Sequence, residues 1–288
     1  MAQHSAPTGA RTPNGASRSA ITWVAGGVAL VLVVVLGVVL LGGGPGGDDG
    51  APGDGTSAPA AGADGAPVIE AANLQVSSTY TEIAAAPADP DPTGTTDGTV
   101  VHPIRNTPVH DGPNGAAIAQ METQQFGDTW LPMIGEQDGW VQVLLPSKPA
   151  STAGWIRDED VERAVTPYVV EVHLGSRTME LARDGETVGE WSVGIGGPDT
   201  PTPTGRTFIL GAFSDVNQDY SPVFFPLGTH SPTLDTFGGG PGTVAFHGWP
   251  TDDVFGEADS NGCIRVPQDA LDALTEVPLG TLVLVDEA

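Results

Sequence analysis

Two short segments hold the side chains most able to do chemistry. His247 ends the run "VAFHGWP", and Cys263 sits in "DSNGCIRV" (Asp259 to Val266). Cys263 is the only cysteine of the chain. A free thiol has a pKa of about 8.5, so only a minor fraction is thiolate near neutrality. A histidine within hydrogen-bond reach can take that proton and leave a thiolate–imidazolium pair. The histidine must itself be held by a third group. Gly262 has no Cβ, so the backbone there can turn sharply and aim consecutive N–H groups at one point. Such a cluster stabilises the oxyanion of an acyl-transfer intermediate. A lone cysteine also serves as a small buried hydrophobe. Here its neighbours are Asn261, Gly262 and Arg265 rather than an apolar run. Zinc needs three or four protein ligands, and the histidines are scattered, so neither a metal nor a cofactor is expected.

These residues need elements to hold them. The region 166–288 reads as β-rich. "PYVVEVHL", "RTMELA" and "TVGEWSVGI" are strands, the last two joined through Arg183-Asp184-Gly185-Glu186. "GRTFILGAF", "GTVAFHG" and "GTLVLVDE" follow as strands. One short helix is expected in "VPQDALDALTEV", with Pro267 in its first turn and Leu271 and Leu274 facing a sheet. Upstream, residues 98–165 contain two strands around the turn dipeptide Asp138-Gly139. Trp130, Trp140 and Trp155 fall in three successive strand-like pieces, a spacing that suggests a small barrel. Residues 43–97 are mostly Gly, Ala, Pro, Asp, Ser and Thr and read as a tether, too poor in apolar residues to offset ordering entropy. Its r.m.s. span would be roughly 40 Å. The patch Val68 to Ile83 is less depleted and suggests a strand or short helix. The fold expected is mainly β.

Residues 21–42 begin with "ITWVAGGVALVLVVVLGVVLL", an uncharged run long enough to cross a bilayer. Arg11 and Arg18 precede it and Asp48 and Asp49 follow, which puts residues 1–20 in the cytoplasm and the remainder outside, on a single-pass anchor. An oxidising compartment would damage a needless thiol. The formal net charge is −26, with one lysine, Lys148. A polyanion of this kind does not bind nucleic acid by counterion release.

"HG" followed after a loop by "SNGCIR" resembles the catalytic signature of the L,D-transpeptidase family (YkuD-type domain). "TPTGRTFI" (Thr202 to Ile209) resembles a second block of that family, and "GTLVLV" its closing strand. The resemblance spans residues 167–286. It implies that Cys263 is the nucleophile and His247 the general base, with the Gly248 carbonyl or a nearby one orienting the ring. It implies an oxyanion hole of backbone amides near Gly262 and Cys263. Asn261 stands where members often have histidine, so it can position but not titrate. Ser260 would hydrogen-bond within the site or shape the turn, and Arg265 would meet a substrate carboxylate or act as a structural bridge. Arg206 reads as structural, His230 as a surface residue of a loop able to form a lid, and Trp249 as lining or underlying the cleft. "DGWVQV" and "GWI" resemble bacterial SH3-like domains, which bind wall peptides or act as spacers.

The reaction implied takes a peptidoglycan tetrapeptide stem with diaminopimelate third and D-Ala fourth, expels D-Ala, and passes the acyl group to an amine of a neighbouring stem. Water as acceptor would make the same site an L,D-carboxypeptidase. A carbapenem adduct at Cys263 is also implied. Sortases place His and Cys much further apart, and papain-like wall peptidases place Cys first. A wall-binding scaffold with a decayed site is the remaining alternative.

Overall fold

The computed structural model describes residues 74–288. The expected cytoplasmic tail, the transmembrane helix at 21–42 and the start of the tether lie outside the described residues. Among the described residues no helix is long and apolar enough to cross a membrane.

Seven strands form the upstream sheet: β1 (Thr99–Pro103), β2 (Thr107–His110), β3 (Ala117–Met121), β4 (Leu131–Gln137), β5 (Trp140–Leu144), β6 (Ala153–Arg157) and β7 (Val161–Val165). They run antiparallel in the order β3-β2-β6-β5-β4-β1-β7. Asp138 and Gly139, at φ +49° and +82°, make the two-residue turn between β4 and β5. Positive φ at both central positions matches the twist of a tight hairpin. Trp140 is buried in β5 and Trp155 lies on β6, while Trp130 falls just ahead of β4.

The second half is a sandwich. β8 (Tyr168–His173), β9 (Thr178–Arg183), β10 (Glu186–Ser192), β12 (Gly205–Phe208) and β19 (Leu282–Asp286) form a five-stranded sheet in the order β10-β9-β8-β19-β12. β13 (Phe224–His230), β16 (Thr243–His247) and β18 (Ile264–Arg265) form a three-stranded sheet in the order β13-β16-β18. Two pairs of short strands complete it: β11 (Ile195–Gly196) with β17 (Ala258–Ser260), and the hairpin β14 (Thr236–Phe237) with β15 (Gly240–Pro241). Among the described residues the one α-helix, α1 (Gln268–Leu274), starts after Pro267 and buries Ala270, Leu271 and Leu274. Proline suits the start of a helix because its missing N–H would have no intrahelical acceptor there.

Strand alternation explains the layering. In β19, Val283 and Val285 join the core beneath the three-stranded sheet, while Leu282 and Leu284 point the other way. That second face packs with Phe208 and Leu210 against Val101, Val109, Leu131, Val141 and Ile156 of the upstream sheet. The two halves divided at 165/166 in the sequence therefore share one core.

The tether also ends earlier than composition suggests. Ile83 is fully buried in the shared core, and bridges join Val76 to Gln120, Glu82 to Lys148 and Ala88 to Thr152. Buried Asp89 accepts from Arg206 Nε and Nη2 at 2.6 and 2.5 Å, and Arg206 Nη1 reaches the Gly94 carbonyl. Residues 74–97 pack because a few apolar side chains and one ion pair find partners on two sheets, which a low average hydropathy conceals. Arg206 thus has a structural place.

Candidate active site

The three-stranded sheet sets the site through its period of two. Phe225, Leu227, Val244, Phe246 and Ile264 face the core. Their alternates, Phe224, Pro226, Thr243, Ala245 and His247, face a cavity of about 460 Å³ together with Cys263. β16 pairs with β18 in parallel, with Phe246 opposite Ile264 and His247 opposite Arg265. Cys263 directly precedes β18, so the thiol and the imidazole reach the same cavity from adjacent segments.

His247 Nδ1 lies 2.8 Å from the Gly248 carbonyl oxygen. A carbonyl only accepts, so Nδ1 carries the hydrogen, and the neutral ring keeps its lone pair on Nε2. Gly248 is held in turn, its amide donating to Ser221 Oγ (2.8 Å), while Ser221 donates to the Val223 carbonyl (2.6 Å). Tyr220, Phe224 and Trp249 surround the imidazole with centroids 5.4–6.1 Å apart from one another or from the ring. Burial pushes the His247 pKa down, partly offset by the Gly248 hydrogen bond, and the Arg265 charge lowers it further. Burial pushes the Cys263 thiol up, against the Ala245 amide and Arg265, which pull it down. Both directions disfavour the thiolate–imidazolium pair expected from sequence.

The nucleophile turn is tied down by hydroxyls. Ser260 Oγ donates to the Cys263 carbonyl (2.6 Å) and accepts from the Gly262 amide (3.1 Å). Thr202 Oγ1 donates to the Gly262 carbonyl (3.0 Å), and Thr200 Oγ1 to the Ser260 carbonyl (2.9 Å). This is what the "TPTGRTFI" block does physically, since its Thr202 clamps the turn. Gly262 sits at φ +106°, a conformation that L side chains rarely adopt. Its amide is engaged by Ser260 Oγ. The Cys263 amide makes no hydrogen bond among the described residues. Asn261 is exposed at the tip of the turn.

Arg265 is buried. It donates from Nη1 to Asp259 (2.6 Å) and stacks 4.1 Å over the Trp249 ring. Its Nε has no acceptor among the described residues. His230 is not a surface residue. It is buried at the end of β13, with Nδ1 2.6 Å from the Ser231 carbonyl oxygen. The Pro- and Gly-containing segment before it looked loop-like, yet it is a strand pressed between neighbours. Ser221 and Tyr220 were missed because a serine or tyrosine in a polar loop carries no periodic signal. Away from this site, Glu171, His173 and Glu180 bring ligand atoms within 4.8 Å of one another, with His173 Nδ1 3.0 Å from Asp286. These are the side chains that could hold a cation; cross-strand register gathered them, not sequence spacing.

With this geometry in place, comparison with known proteins is informative. Residues 167–285 match the family model of the L,D-transpeptidase catalytic domain (YkuD). That segment is similar to the L,D-transpeptidase catalytic domain. A Bacillus subtilis (strain 168) protein named "Putative L,D-transpeptidase YkuD" is 26% identical over 167 residues, covering 56% of this chain and 94% of its own. An L,D-transpeptidase from Mycobacterium smegmatis is 16% identical with a TM-score of 0.34, covering 51% of this chain and 90% of its own. The L,D-transpeptidase LdtMt1 in complex with imipenem is 17% identical with a TM-score of 0.37, covering 66% and 82%. At such TM-scores the structural likeness carries no argument, and the similarity rests on the family model.

Proposed function

We propose that the protein is a peptidoglycan L,D-transpeptidase working through a thioester on Cys263. The observation that carries this is a thiol sharing one cavity with a histidine whose Nδ1–H is committed to Gly248, which leaves Nε2 to accept the thiol proton. In the first half-reaction Sγ attacks the carbonyl at the L-centre of diaminopimelate in the donor stem, and the thiol proton passes to His247 Nε2. The Cys263 amide faces the developing oxyanion. The C–N bond then breaks, D-Ala leaves with that proton on its amine, and a thioester remains. In the second half-reaction an amine of a neighbouring stem attacks the thioester and gives a proton to His247. Sγ leaves and recovers it. The thioester conserves the energy of the broken amide, so no nucleotide is required. Water as acceptor gives the carboxypeptidase outcome.

Within this reading, residues 21–42 would hold the chain in the cytoplasmic membrane with the catalytic part outside, and residues 98–165 would be an SH3-like module. A carbapenem would acylate Cys263 as imipenem complexes LdtMt1. The test is incubation of the full-length protein with disaccharide tetrapeptide, followed by mass spectrometry. Loss of D-Ala and a cross-linked dimer are expected. Substrate intact after long incubation, or equal turnover by Cys263→Ala, would overturn the proposal and leave the scaffold reading.

A further inference from the structure

If Cys263 is the acyl-transfer nucleophile, the cavity it lines must seat the donor, and the cavity wall has an unusual composition. Among the described residues nine large hydrophobic side chains stand exposed, and four of them, Tyr80, Phe126, Phe213 and Phe237, line this one cavity. Clustered exposure of this kind marks a binding surface, whereas single exposed hydrophobics do not. The wall carries no Lys, Arg, Asp or Glu, although the chain as a whole has a net charge of −26.

Two of the four come from outside the catalytic domain. Tyr80 belongs to the segment before the upstream sheet, and Phe126 to the connection between β3 and β4. Phe126 stacks on Phe213 with centroids 5.8 Å apart and planes at 19°, and Phe213 stacks on Phe224 at 5.4 Å and 17°. Phe224 touches the His247 ring at 5.6 Å. A ladder of rings therefore runs from the upstream half to the catalytic histidine. The outermost ring is held in place from both sides. Phe126 has φ +55°, a costly conformation for a bulky residue that persists only when its surroundings impose it. Its backbone lies against Gly211, where a Cβ would come within 2.4 Å of the Phe126 Cβ. The neighbouring Gln125 donates to the Ser77 carbonyl at 2.8 Å.

We infer that Phe126, backed by Phe213, is a substrate-positioning platform for a sugar ring of the glycan that carries the donor stem. A stem peptide bears carboxylates, and this wall offers them no cation. A sugar ring is uncharged and presents a flat face of C–H groups, which suits the exposed face of an aromatic ring. The upstream half is then part of the substrate site and not a spacer.

Equilibrium binding tests this apart from catalysis. The full-length Cys263→Ala protein is titrated calorimetrically with disaccharide tetrapeptide and with the free tetrapeptide. The disaccharide form is expected to bind about 2- to 12-fold tighter, the range of one ring–ring contact. In the same background Phe126→Ala brings the two ligands to one affinity, and Phe126→Tyr keeps the preference. Thermal melting of each variant shows whether it is folded. Equal affinity in the parent, a preference that survives Phe126→Ala, or no binding of either ligand would overturn the inference. Failure of the transfer reaction is seen separately, as intact substrate with the wild-type protein.

Discussion

The two hydrophobic cores of this molecule differ in where their residues come from. The core beneath the three-stranded sheet draws only on the segment from Tyr168 to Val285, and it backs the strands that present His247 and Cys263. The core on the other face of the five-stranded sheet runs from Ile83 to Leu284 and mixes both halves of the chain. The first holds the chemistry in place. The second makes the five-stranded sheet dependent on residues that a family match over 167–285 leaves out.

The largest effect expected falls on the first region and on function alone. Cys263→Ala should bring turnover of the disaccharide tetrapeptide to background while the melting temperature stays unchanged. A large loss of stability in that variant would mean the sulfur packs more than it reacts. The next effect falls on the shared core. Asp89→Ala leaves the Arg206 guanidinium buried without its carboxylate, which costs about 3–5 kcal/mol. Phe208→Ala should cost about 3–5 kcal/mol as well. Urea unfolding reads both, and each should shift one transition shared by upstream and catalytic halves. Two separable transitions would show that the cores are independent and break the comparison.

A smaller change is expected at Ser221→Ala. It leaves the buried Gly248 amide without its acceptor, at about 1–3 kcal/mol. Because Gly248 orients His247, kcat/KM should fall with it. Unchanged kinetics would separate the Ser221 bond from the histidine. The smallest effect is the position of a pH limb. Burial, helped by Arg265, lowers the His247 pKa, so the ring stays a neutral base below the ordinary imidazole value of about 6.5. Activity should persist below that pH and fall only as pH drops through the lowered pKa. An acid limb at or above 6.5 in kcat/KM would contradict the buried, neutral base.

Much of the strand pattern was legible because it is local. Asp138-Gly139 and Asp184-Gly185 each sit at positive φ between two paired strands, as their residue types require. The helix begins directly after Pro267, which caps it where the sequence suggested a first-turn proline. β13 was not legible, since Pro226 and Gly228 disguise a strand whose register with β16 shifts between Pro226 and His230. The unbroken apolar run "LVLVD" of β19 did carry a signal. A strand with no polar alternates is buried on both faces, and its second partner is the upstream sheet. Asp89 offered no such hint, because an acid in a Pro- and Asp-rich stretch looks like any solvated charge.

By itself the sequence determined the chemistry available, a histidine and a cysteine carried on neighbouring β-segments, because residue type and short-range periodicity act within a few positions. Only the tertiary structure decided which way burial pushes the two pKa values, since that depends on how much solvent the packed sheets exclude. Only the tertiary structure brought Asp89 to Arg206 across 117 positions and set Phe126 in the cavity wall. Contacts at such separations follow from which faces of which sheets must be buried together, and no local pattern encodes that choice.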